Sequence, residues 1–109
     1  MITAVIGSRS FNNYNFLEEN LDQFDITEIV SGGARGADSL AERYAKENDL
    51  PMKIFPPDWE THGKQAAFIR NKEIIDYAEI VIAFWDGKST GTKHSIDIAN
   101  KQGKQVYIF

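Results

Sequence analysis

Four cations and two carboxylates stand in or beside stretches of glycine and small hydroxyl residues. Arg9 lies in Gly7-Ser-Arg-Ser10, and Arg35 and Asp38 lie in Ser31-Gly-Gly-Ala-Arg-Gly-Ala-Asp38. Arg70 lies in Ile69-Arg-Asn71, and Asp86 and Lys88 lie in Asp86-Gly-Lys-Ser-Thr-Gly-Thr92. Glycine turns that feed helices let backbone N–H groups and the positive helix end approach an anion closely. Arginine beside them adds charge-assisted donors suited to phosphate. The pattern Gly32-Gly33-x-x-Gly36 matches neither the dinucleotide fingerprint nor the P-loop, so by itself it also describes a tight connection with no ligand. Three such loops on one edge are what turn the balance toward a phosphate-bearing ligand.

Parallel strands joined by helices would bring the loops together. Ile2–Ile6 reads as a buried strand, and Asn12 or Asn13 can cap a helix from about Tyr14 to Phe24. Ile29-Val30 is a second strand, followed by a helix whose Ala37, Leu40, Ala41, Tyr44 and Ala45 share one face and which ends before Pro51. Met52–Phe55 is a third strand, and Pro56–Gly63 is the one long irregular stretch. A helix over 64–78 follows, with Ala67, Ile74 and Ala78 inward and Arg70 and Asn71 on the same stripe, so Arg70 must find a carboxylate or a ligand. Glu79–Phe84 is a continuous central strand. A last helix turns Ser95, Ile96 and Ala99 inward and stops at Gly103, before the strand Gln105–Phe109.

This alternation predicts an α/β, Rossmann-like three-layer sandwich: five parallel strands in the order 3-2-1-4-5, with helices on both faces, in a single domain over 1–109. Strands one and four would flank the switch point where such sheets bind ligands. The sites read from these loops are Gly7, Ser8, Arg9, Ser10, Gly32, Gly33, Arg35, Gly36, Asp38, Arg70, Asn71, Asp86, Lys88, Ser89, Gly91 and Thr92. Asp38 suits either a ribose hydroxyl or its own helix N-terminus. Trp59 and Trp85 are candidates to stack a base, although core tryptophans are more frequent.

The 109 residues carry net charge −4 and no cysteine, which excludes thiolate chemistry and fits a reducing, cytoplasmic setting. Met1 runs straight into the first strand, so no signal peptide is expected, and no apolar run is long enough for a membrane span. His62 and His94 are isolated, so no protein-held metal is expected; Mg²⁺ carried on ligand phosphates is compatible with the loops. Self-association is compatible with the sequence and not required by it.

Taken together, Val5–Phe11, Ser31–Asp38, Ile69–Asn71 and Asp86–His94 resemble the SLOG superfamily, and within it the small single-domain YspA-like (cpYpsA-related) branch of bacteria and phages. That resemblance implies a Rossmann-like domain binding a nucleotide or nucleotide derivative, as sensor or processing protein. Two other members imply alternatives. LOG phosphoribohydrolases place an arginine before a strand and then G-G-x-G-T-x-x-E; Arg70 and Gly91-Thr92 match, but Lys88-Ser89 replaces the glycine pair and Ser95 the glutamate. N-glycosidic hydrolysis would then need another carboxylate, from Asp38, Asp86 or Asp97, which leaves Arg70, Asp38 and Asp86 as the catalytic candidates. The DNA-processing protein DprA is similar in Ser31–Asp38 and Arg70-Asn71-Lys72, which implies single-stranded DNA binding. An excess of acidic over basic residues, 16 to 12, disfavours a nucleic-acid partner.

Overall fold

The computed structural model describes residues 1–109. Five strands, β1 (Ile2–Gly7), β2 (Glu28–Ser31), β3 (Met52–Ile54), β4 (Ile80–Phe84) and β5 (Gln105–Ile108), form one parallel sheet in the order β3-β2-β1-β4-β5. Every residue of β4 is buried, as an apolar strand covered on both faces must be. β1 lies beside it in the register Ala4↔Val81 to Gly7↔Phe84. The edge strands are short and largely exposed, which limits unwanted strand pairing.

Side chains alternate between two layers. Val5, Ile29, Ile80, Ile82 and Phe84 face α1 (Tyr14–Leu21) and α2 (Ala37–Glu47). Ala4, Ile6, Val30, Val81 and Ala83 face α4 (Ala66–Tyr77) and α5 (Thr90–Lys101). A one-turn helix, α3 (Trp59–His62), and a 3-10 turn, Gly63–Gln65, lead into α4. α1 and α2 are clamped by polar contacts: Tyr44 donates to Asp22 at 2.6 Å, Tyr14 donates to Glu47, and Arg43 lies 3.8 Å over the Tyr14 ring.

Two element boundaries and one buried stripe differ from the periodicity. α1 stops at Leu21, and Phe24 reaches the core from the following turn, where its N–H donates to Leu21 and its ring meets Tyr107 at 4.8 Å. The irregular stretch before α4 holds the α3 turn, and Gly63, at φ 56°, separates it from the longer helix. In α4 the buried side is Ala66, Asn71, Ile74 and Ile75, so the stripe is rotated and Ala67 borders a cleft. No helix is long and apolar enough to cross a membrane.

Candidate functional site

The two halves of the sheet meet between β1 and β4, and at their carboxyl ends a cleft of about 500 Å³ opens. Its floor is fixed by backbone geometry. The Ser8 N–H donates to the Phe84 carbonyl at 3.0 Å, and the Ser8 hydroxyl accepts from the Asp86 N–H at 3.0 Å. Ser8 is fully within the structure, and it pins the loops after β1 and β4 to each other. Of the residues read from sequence, Gly7, Ser8, Arg9, Ser10, Asp38, Arg70, Asn71, Asp86, Ser89, Gly91 and Thr92 all line this cleft.

Gly32, Gly33, Arg35, Gly36 and Lys88 do not line it. The reason lies in what occupies the space over the glycines of the β2–α2 turn. A Cβ on Gly32 would overlap the Arg70 guanidinium, and one on Gly36 (φ 76°) would overlap the backbone of Ser8 and Arg9. These glycines make room for protein atoms, which gives each a packing role. Arg35 and Lys88 are exposed outside the cleft. From the β2–α2 segment only Ala34 and Asp38 face inward.

Arg70 is half-buried and has no carboxylate within ion-pair distance; all four ion pairs of the chain are i,i+4 pairs elsewhere on the helices. Its Nε donates to Asn71 Oδ1 at 3.1 Å and its Nη1 to the Gly32 carbonyl at 3.0 Å. Two neutral acceptors therefore aim a guanidinium whose charge stays unneutralised. Burial lowers its pKa, against the opposing charge of Asp38, and Arg9 lowers it further; a guanidinium remains protonated all the same. Asn71 is itself buried, with Nδ2 directed at the Gly91 carbonyl and His94 Nδ1, both at 3.4 Å.

The two carboxylates of the cleft are tuned in opposite directions. Asp38 is only 8% exposed, and burial raises its pKa; the Ala34 N–H, 3.1 Å from Oδ2, and the charges of Arg70 and Arg9 work against that rise. Asp86 is exposed, and its Oδ1 accepts from the Ser89 and Lys88 N–H groups at 2.8 Å, which lowers its pKa. Divergent tuning of neighbouring acids is the usual basis for dividing acid and base roles. Asp97 pairs with Lys93 at 2.9 Å away from the cleft, and Ser95 is buried with its hydroxyl donating to the Gly91 carbonyl.

Neither tryptophan lines the cleft. Trp59 is 55% exposed on α3. Trp85 packs on the core, donates to the Ser89 carbonyl at 3.0 Å, and borders a separate hollow of about 300 Å³ with Phe11 and Phe109. The cleft's aromatic is Phe68, which sequence reasoning passed over. The available signal was an aromatic lying off the inward stripe of a helix that begins at the carboxyl edge of the sheet. No three His, Asp or Glu side chains cluster to hold a metal.

A five-stranded 3-2-1-4-5 parallel sheet with helices on both faces and a cleft at its switch point defines a Rossmann-like α/β protein. The model of the YspA, cpYpsA-related SLOG family matches residues 1–62. An alignment of 87 residues with the Gene 61 protein of Mycobacterium phage D29 is 39% identical and covers 74% of this chain and 70% of that protein. The chain belongs to the YspA, cpYpsA-related SLOG family.

Proposed function

We propose that the cleft binds a phosphorylated small molecule of nucleotide type. The observation that carries this reading is the half-buried Arg70, held by two neutral acceptors and unpaired with any carboxylate. A positive charge partly removed from water calls for an anion. Arg9 supplies a second cation across the cleft, and the start of α5 adds the hydroxyls of Ser89, Thr90 and Thr92 and a favourable dipole. Asp38 is an acceptor for a sugar hydroxyl, which a bare phosphate lacks. SLOG membership is consistent with a nucleotide-related ligand.

The test is native mass spectrometry of the purified protein, followed by calorimetric titration with nucleoside monophosphates. Arg70→Ala is expected to lose binding by about 10- to 150-fold, the range for one charge-assisted hydrogen bond, with a melting temperature close to the parent's. A variant that melts early yet binds normally in its folded state overturns the reading. Arg70→Lys is expected to rescue poorly, because an ammonium cannot reach Asn71 and Gly32 while also presenting a planar fork to phosphate.

Asp38 favours a second, hydrolytic reading. A carboxyl with a raised pKa can protonate the departing base of an N-glycosidic bond, the task for which Ser95 is unsuited. This reading predicts release of free base and ribose 5-phosphate, abolished in Asp38→Asn. Recovery of every nucleoside monophosphate intact after prolonged incubation overturns it.

A further inference from the structure

We infer that Phe68 is the platform of a nucleobase subsite at the mouth of the cleft, so that the preferred ligand is a nucleoside phosphate over a bare sugar phosphate; this rests on the anion-binding reading of the same cleft. Phe68 is the only aromatic side chain lining it. It stands in the first turn of α4, two residues before Arg70, so one short segment carries both a cation and a flat apolar face. The ring is 50% exposed and belongs to neither core cluster. A large apolar side chain left half in water at the rim of a polar cleft gains most from a partner that covers it.

The ring is also held in place. His94 meets it at 4.6 Å between centroids with an interplanar angle of 71°, an edge contact that fixes the ring without stacking over it. Asn71, 3.4 Å from His94 Nδ1, ties the same pair to Arg70. A planar base can stack on phenylalanine whatever its identity, because every base has a π-face. Thr90 and Gly91, exposed on α5 and bordering the cleft, offer polar groups to a base edge. The two tryptophans lack this setting: Trp85 is committed to the Ser89 carbonyl and the core, and Trp59 lies outside the cleft. Phe68 also borders an apolar groove with Ile69 and Ile98, so self-association through that groove is the rival explanation of its exposure.

The experiment titrates the full chain calorimetrically with inorganic phosphate, ribose 5-phosphate and the four ribonucleoside 5′-monophosphates. At least one monophosphate is expected to bind roughly 5- to 150-fold tighter than ribose 5-phosphate, the range for one stacked base. Phe68→Ala should erase that preference, so that no monophosphate binds tighter than ribose 5-phosphate, and Phe68→Leu should do the same while keeping apolar bulk. Phe68→Trp should retain the preference and report binding by fluorescence quenching. If ribose 5-phosphate binds as well as every monophosphate, or the preference survives in Phe68→Ala, the base subsite falls and the phosphate cleft stands. If no phosphate compound binds, both fall. A change confined to sedimentation behaviour in Phe68→Ala assigns the ring to a contact between copies and overturns the subsite.

Discussion

The β2–α2 and β4–α5 turns look alike in sequence, each a strand running through small residues into a helix, but they do different work. In the first, Gly32 and Gly36 leave space that the protein itself fills, with the Arg70 guanidinium over one and the Ser8–Arg9 backbone over the other. In the second, Gly87 and Gly91 have nothing within 4 Å of where a Cβ would be. Asp86, Ser89, Gly91 and Thr92 of that turn open onto the cleft. A glycine marks a place where something comes close; whether that something is protein or ligand depends on a partner far away in the chain. The first turn builds the site from behind, and the second presents it.

Substitutions can break this contrast or sharpen it. The largest effect is expected at Gly36→Ala, which combines a positive φ with overlap on the Ser8 and Arg9 backbone. Overpacking and backbone strain together should cost about 3 kcal/mol or more, a fall of roughly 12 °C or more in a domain of this size, read by thermal denaturation. Gly32→Ala meets only the far end of a flexible side chain, so the fold should survive while Arg70 is displaced. Its affinity for nucleoside monophosphate should drop nearly as far as that of Arg70→Ala, and unchanged affinity would show that the position of Arg70 is immaterial.

Asp38→Asn should show a pH signature. The folded chain holds the Asp38 proton more tightly than the unfolded chain does, because burial raises the carboxyl's pKa. The associated stability is therefore fully present below the unfolded value of about 3.9 and is lost as pH rises through the folded value. Asparagine cannot ionise, so the variant should gain on the parent as pH climbs from 3.9 toward neutrality and then hold a constant advantage. A difference in melting temperature that shrinks with pH would mean that Arg9 and Arg70 outweigh desolvation. The smallest effect belongs to Gly91→Ala, which adds a methyl in open space within a helix and should stabilise by about 0.5–1 kcal/mol. Its mark should be weaker ligand binding.

Strand order and layering were legible from the chain because β1 and β4 are largely apolar runs and the connecting helices carry a clear stripe. The edges of elements were less so. Periodicity placed Phe24 on the helical face of α1, although an aromatic in the next turn reaches the same core. Convergence of the first and third loops followed from parallel topology alone, and Arg9, Asp38, Arg70, Asn71 and Asp86 do line one cleft. What the sequence could not supply was the contact over each glycine, since Gly32 meets a side chain from α4. The same limit applied to the aromatics: Trp59 and Trp85 were the stacking candidates in the sequence, whereas the aromatic that lines the cleft, Phe68, is placed there by the phase of α4.

The pairing of Gly7 with Phe84 also sets an order of assembly. During synthesis β1 emerges first, and at about 5–20 residues per second its partner β4 follows roughly 4 to 15 seconds later. In that interval β1, β2 and β3 can pair with their two helices, leaving the β4-facing border of β1 open as an unpaired strand edge. The pocket floor, made by Ser8 bonded to Phe84 and Asp86, cannot exist until that border is closed. The cleft thus forms late, and a nascent chain stopped before Phe84 carries an unpaired strand edge in its place.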